Sequence, residues 1–273
     1  MKPWIGPICC AVLAMVGPRS VLANAATPPR DAVDSHVERG VALSRAQRPR
    51  EAAAEFREAL LRAPDHAAAR QLLAIALLDA GEAEQAVREL EILVVCRPEW
   101  ADAHYFLALA LSRMREDDVT DARIEVELEQ ALQQYGDHAG ALYLYGLLRL
   151  RKGDPESALP RLRRLASLAP TWPQAHHALG TALVRAGQRE EGARSLARFA
   201  ELEELRRALD QAMRAMQREP LATEPRYRAA RLLLDHDQRA EALPMLLGVL
   251  ALDPSHAGAR RDLEALRGEV RPR

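Results

Sequence analysis

Apolar residues in this chain recur at three- and four-residue spacing in short paired runs, each run ending at a small or turn-forming residue. Leu72, Leu73, Ile75, Ala76 and Leu77 form one such stripe, and Ala86, Val87, Leu90 and Leu93 form the next. This is the period of an amphipathic helix burying one face. Gly81, Gly153 and Gly187 fall between the two members of a pair and predict the tight turn joining them. The pattern predicts helix-turn-helix units over 33–66, 67–100, 101–138, 139–172, 173–222 and 223–256, then a capping helix over 257–268 and a tail over 269–273.

The units are copies of one another. Pro64 and Pro98 lie 34 residues apart, as do Pro220 and Pro254. Twelve residues before Pro64, Pro98, Pro170 and Pro254 stand Ala52, Ala86, Ala158 and Ala242, and twenty-four before stand Gly40, Ala74, Gly146 and Ala230. Small residues let neighbouring helices approach closely, and a proline ends the second helix because it lacks an N–H. The stretches AAARQLLAIALLDAGEAEQAVRELEILVVCRPEW and AGALYLYGLLRLRKGDPESALPRLRRLASLAPTW carry the small, large-apolar, Gly, Ala and Pro positions in order. In this the chain resembles the tetratricopeptide repeat family over most of residues 33–268. The resemblance implies an all-α, right-handed superhelical solenoid of helix-turn-helix repeats with a C-terminal capping helix, acting as a non-catalytic binding scaffold.

Composition adds little to the fold and more to the setting. The formal net charge is −1, so no basic field argues for nucleic acid. At the N-terminus, Lys2 precedes the apolar run IGPICCAVLAMV, too short to span a bilayer, and Ala23-Asn24-Ala25 has the small-x-small form of a signal-peptidase site. Residues 1–25 read as a secretory signal and 26–32 as a flexible lead-in, which places the mature chain in the periplasm or outside the cell with no membrane span. An uncleaved N-terminal anchor is the alternative. The Arg- and Ala-rich composition suggests a bacterium. Cys96 is then the one cysteine of the mature chain, so no intramolecular disulfide forms. It reads as a half-buried apolar residue, or as a dimer-forming thiol if exposed.

Two units depart from the period. The third is four residues longer and carries Glu116, Asp117, Asp118 and Asp121, which read as a solvated acidic run or a site for a cation or basic partner. The fifth is sixteen residues longer, and residues 193–219 contain neither proline nor glycine. They predict one helix of about 40 Å at ~1.5 Å per residue, or a helix pair broken near Glu203. Leu202, Leu205, Leu209, Ala212 and Met216 make a heptad-like stripe along it, flanked by the spacings Glu203/Arg207 and Asp210/Arg214. Either the stripe packs on the chain's own last repeat, or it makes the protein a homodimer, a structural oligomerising element.

No nucleophile motif, phosphate loop or zinc spacing occurs in the sequence, which predicts no enzyme, no cofactor and no metal site. His66, His138 and His256 share one point of the repeat and His104 and His176 another, as duplication requires; His176-His177 is the only local metal candidate. In the family the first helix of each pair lines a concave face. The fifth, ninth and thirteenth residues of the later units are Tyr105, Leu109 and Arg113; Tyr143, Leu147 and Arg151; His177, Thr181 and Arg185; and Tyr227, Arg231 and Asp235. These predict an aromatic row beside an arginine row, suited to another protein or peptide with acidic groups. Family consensus explains the same residues singly.

Overall fold

The computed structural model describes residues 30–114 and 118–269. Residues 1–25, most of the lead-in, Glu116 and Asp117 of the acidic run, and the chain beyond 269 lie outside the described residues. Those described form thirteen helices and no strand. They are α1 (Arg30–Arg45), α2 (Pro49–Arg62), α3 (Ala67–Asp79), α4 (Ala83–Cys96), α5 (Ala101–Ser112), α6 (Asp118–Gln134), α7 (Ala139–Arg151) and α8 (Pro155–Leu168), then α9 (Pro173–Arg185), α10 (Arg189–Arg218), α11 (Glu224–Asp235), α12 (Arg239–Leu252) and α13 (Ala257–Glu269). Arg30, Asp31 and Ala32 are helical, so α1 takes in part of the expected lead-in.

The chain divides into two compact units, one ending at Leu168 and one beginning at Ala169. In the first, each helix packs on the next from α1 to α8. The first helices of successive pairs also touch, α1 with α3, α3 with α5 and α5 with α7, and so form one layer with the second helices outside it. A continuous core joins Phe56, Leu73, Leu90, Phe106, Leu128 and Leu148 across the pairs. A Leu or Phe withdrawn from water in this way stabilises by about 1.5–3 kcal/mol. In the second unit α9 to α13 pack in succession, and Ala230, Leu246, Val249, Ala259 and Leu263 form a core between α11, α12 and α13.

The close approach within a pair is set at one point. A Cβ on Gly40 would stand 2.5 Å from the Phe56 ring, one on Gly146 2.4 Å from Leu162, and one on Gly180 2.7 Å from Leu196. The eighth residue of a repeat is therefore small because a large side chain of the second helix lies on its backbone. The turn between helices is equally regular. The fifteenth residue has a left-handed backbone in every repeat where it is described: Gln47 (φ 58°), Gly81 (φ 80°), Gly153 (φ 74°), Gly187 (φ 80°) and Asp237 (φ 59°). At each, the following N–H reaches back to the carbonyl five residues earlier, as in Glu82 to Leu77 at 2.8 Å and Arg48 to Leu43 at 3.0 Å. That is the Schellman closure of a helix. The glycines announced three of these turns; Gln47 and Asp237 hid the other two.

The long segment of the fifth unit is one helix. α10 runs 30 residues, unbroken through Glu203.

Gln47→Gly should stabilise the protein by roughly 0.5–1 kcal/mol, because glycine relieves the left-handed strain. Gly146→Ala should destabilise it by roughly 1–3 kcal/mol, because Leu162 must give way. Urea unfolding followed by circular dichroism measures both.

Candidate functional site

On the first-helix layer of the first unit, α5 and α7 carry the residues that the repeat pattern singles out. Tyr105 lies over the start of α7. Its ring centroid is 4.7 Å from that of His138 and 5.0 Å from that of Phe106. A Cβ on Gly140 would stand 2.6 Å from its Cζ. Burial pushes the Tyr105 hydroxyl up to about 12, against a smaller pull from Arg113. Tyr105 is thus a joint between repeats more than a surface for a ligand. The His138 Nδ1 accepts the Ala141 N–H at 3.1 Å and caps α7, and its Nε2 lies 3.0 Å from Asp102. Bonding to His138 holds the Asp102 carboxyl below the usual range, opposed by its partial burial. The second unit repeats this joint. Tyr227 covers Gly258, stands 4.5 Å from the His256 ring and donates its hydroxyl to Asp262 at 3.0 Å. Burial first, then that bond, raises its pKa.

The histidines that duplication aligned do structural work. His66, His138 and His256 each accept the N–H of an alanine three residues on, Ala69, Ala141 and Ala259, at 3.0, 3.1 and 3.1 Å. They are N-caps. His104 and His176 instead reach the carbonyls of Pro98 and Pro170, at 2.9 and 3.0 Å. His177 is exposed, with its ring 4.9 Å from Phe199. Among the described residues no three His, Cys, Asp or Glu side chains gather as metal ligands would.

The arginine row turns out to be engaged within the chain. Arg113 donates to the Leu78 carbonyl at 2.6 Å and caps the end of α3. Arg151 pairs with Asp121, so this member of the acidic run meets the row it was not expected to meet. Arg231 pairs with Asp235 at 3.0 Å and Asp262 at 3.3 Å. Arg149, which the pattern passed over, is tied to Tyr145 and Glu125. Arg185 is exposed and Thr181 half-buried.

Of the two leucines assigned to the row, Leu109 is 5% exposed and belongs to the core. Leu147 is 37% exposed, one helical turn from the half-buried Tyr143, whose pKa burial raises. Tyr143 and Leu147 are therefore the apolar side chains of the predicted row that α7 offers to solvent. The stripe on α10 is not a free seam. Leu202 is 2% and Leu205 4% exposed, Ala212 is buried, and Leu209 and Met216 are half-buried. Helix α10 packs on both α9 and α11, which uses that face inside the chain. The flanking pairs also differ from the spacing: Arg206 takes both Glu203, at 2.9 Å, and Asp210, at 3.2 Å. Cys96 is exposed at the end of α4.

Residues 43–110 match the family model described as tetratricopeptide repeat. The crystal structure of the MamA protein superposes with a TM-score of 0.54 at 20% identity, over 64% of this chain and 93% of that one. The fold is that of a tetratricopeptide repeat array. TTC0263, a thermophilic tetratricopeptide protein of Thermus thermophilus, matches with a TM-score of 0.51 at 22% identity, over 74% of this chain and 100% of that one. A chain of the Cut9-Hcn1 hetero-tetramer of the APC/C matches with a TM-score of 0.56 at 14% identity, and here 87% of this chain spans only 43% of the other. No curated protein matches the sequence. Within the tetratricopeptide frame, the residues that sequence spacing missed are the internal partners, Leu78, Glu125 and Asp262. No periodicity marks a backbone carbonyl or an acid one repeat away.

Because the folded Tyr105 hydroxyl keeps its proton to about pH 12, the stability it contributes is complete below the ordinary tyrosine range and is lost as pH rises through about 12. Absorbance titration at alkaline pH should show a component ionising near pH 12 that Tyr105→Phe removes, beyond the smaller upward shifts of Tyr143 and Tyr227.

Proposed function

We propose that this chain is a non-catalytic interaction scaffold that holds another protein, through a peptide or helix of that protein, against the first-helix layer around Tyr143 and Leu147. One observation carries the reading: Leu147 remains 37% exposed on α7, whereas Leu109, at the same point of the preceding repeat, is buried. An aliphatic side chain left in water beside a tyrosine is where apolar contact with a partner would be gained. Arg151 sits one turn further on, with its side chain 34% exposed and paired with Asp121. The Asp121 side chain is only 14% exposed, so a partner's carboxylate would join the exposed edge of the Arg151 guanidinium and not displace Asp121. This keeps an acidic partner in the reading and assigns it to Arg151, not to Arg113, whose guanidinium is committed to a backbone carbonyl. That a chain of similar fold belongs to a hetero-tetramer supports a role in assembly.

The N-terminal pattern supports action in the cell envelope of a bacterium, on the periplasmic or outer side, after cleavage at Ala25. Among the described residues no helix is long and apolar enough to cross a membrane. Protein purified from the periplasmic fraction should begin at Ala26.

The decisive experiment is affinity capture from the source envelope, read by mass spectrometry, with the wild-type protein and with Tyr143→Ala/Leu147→Glu. A partner enriched by the wild type should fall at least about tenfold with the variant while its circular dichroism stays unchanged, as expected for loss of an apolar contact at an interface centre. Equal recoveries would remove this face from the function. Arg151→Glu should weaken capture less, and only of an acidic partner.

A further inference from the structure

The second helix of a regular repeat meets water at its 18th, 22nd, 25th and 29th residues, counted in the longer third repeat back from His138. Charge marks these points on α2, α4, α6 and α8. The 25th residue is Arg57, Glu91, Glu129 and Arg163 in turn, and the 18th is Arg50, Glu84 or Glu156 on three of them. The charges also reach along the array, Arg57 to Gln85 on α4 at 2.7 Å and Glu91 to Arg123 on α6 at 2.5 Å. On α12 the same four points are Ala240, Pro244, Leu247 and Ala251, and all four are exposed. Leu247 is 46% exposed. Leu243, one turn before it, is 40% exposed, although Ala53, Val87 and Leu159, at the same point of earlier repeats, are buried.

A surface helix keeps a charged face for solvent, and one that is apolar all round is a helix that something covers. Between Arg239 and Asp253 the single charged residue of α12 is Glu241. It occupies the point at which Gln85 and Arg123 turn to the preceding second helix, and so stands off the outer stripe. The inner face is taken up by the core through Ala242, Leu246 and Val249. A further repeat of the array does not fit outside: α13 has Glu264 at its eighth residue, where Gly40, Ala74, Gly146 and Ala230 leave room for a second helix. Charge narrows the choice of occupant. It must be uncharged along the ~17 Å from Ala240 to Ala251 and suit Arg239 at one end and Asp253 at the other. The α12 face itself, turned antiparallel, has this pattern. It sets the Arg239 end of one copy beside the Asp253 end of the other, with the two helix dipoles opposed in direction, whereas a parallel pair sets like ends together.

We infer that the outer face of α12 is a self-association surface, on which a second copy of this chain lays its own α12 antiparallel across a two-fold axis, so that Leu243 and Leu247 of each copy pack on the other. Ala240 and Ala251 at the ends of the stripe let the two helices approach closely. One pair of helices of this length buries well under the ~800 Å² per partner of a standard interface, so the dimer is weak and concentration-dependent, with a Kd on the order of 10 μM. It uses neither the α7 face nor the stripe on α10.

Sedimentation equilibrium of the purified protein from about 1 to 500 μM, with reductant so that Cys96 forms no disulfide, tests this. The wild type should pass from monomer to dimer over that range. Leu247→Arg puts at this point the residue that α2 and α8 carry there, so circular dichroism and the urea midpoint should stay unchanged while the dimer weakens by at least about tenfold. Leu247→Gln, which adds no charge, should weaken it by about fivefold or more. Val95→Arg, at an apolar side chain 79% exposed on α4, should change it by less than about twofold. Dimers that survive both Leu247 variants, or a Val95→Arg effect as large as that of Leu247→Arg, would overturn the inference. So would a wild type that stays monomeric at about 500 μM, and the face would then belong to a different chain.

Discussion

The array depends on one contact, repeated: a backbone without a side chain on the first helix, against a large apolar side chain on the second. Gly40 under Phe56, Gly146 under Leu162 and Gly180 under Leu196 are the same event. It brings the two axes of a pair close enough for the alanines twelve positions on, Ala52, Ala86, Ala158 and Ala242, to be fully buried. Close packing then leaves no room for compensation, because interiors at near-crystalline density relax only partly around a changed volume. Everything else in a repeat, from the left-handed turn to the histidine caps, holds the pair in the register that this contact defines.

Given that register, the polar groups of the first-helix layer have little freedom. Arg113, at the thirteenth position, comes to the end of the preceding first helix and donates to the Leu78 carbonyl, whereas Arg151 at the same position meets Asp121. A tyrosine at the fifth position meets the start of the next first helix, where Gly140 or Gly258 makes room for its ring. Residues that look like a ligand-binding row in one dimension are, in three, the pegs between neighbouring repeats. On α7 the pegs leave Tyr143 and Leu147 as the apolar side chains of the row that reach solvent.

The sequence was a good guide wherever the determining interaction repeats. Closing prolines, small eighth residues and glycine turns all return with the period, and they place the helices within a few residues. It was a poor guide where one residue type serves two ends. Gln47 and Asp237 adopt the backbone of Gly81 with no compositional sign of it, because side chains with a local polar group tolerate the left-handed region at moderate cost. The leucines of α10 have the spacing of a dimer seam, yet Leu202 and Leu205 are buried within the chain, since heptad spacing records an apolar face and not the identity of what covers it. The role of Arg151 depends on Asp121, thirty residues away across an insertion, and no local pattern reports such a pair.

The histidines carry a last consequence. Of the eight in the chain, His66, His138 and His256 bind helix N-termini through Nδ1, His104 and His176 bind proline carbonyls, and His36 meets Glu55. A transition metal binds imidazole through the same nitrogen lone pair that a backbone N–H occupies at a cap. Folding and metal ligation therefore compete for His66, His138 and His256. The chain should cling to an immobilised-nickel resin when denatured and lose much of that affinity when native, so that retention on such a column becomes a measure of how much of the array is folded.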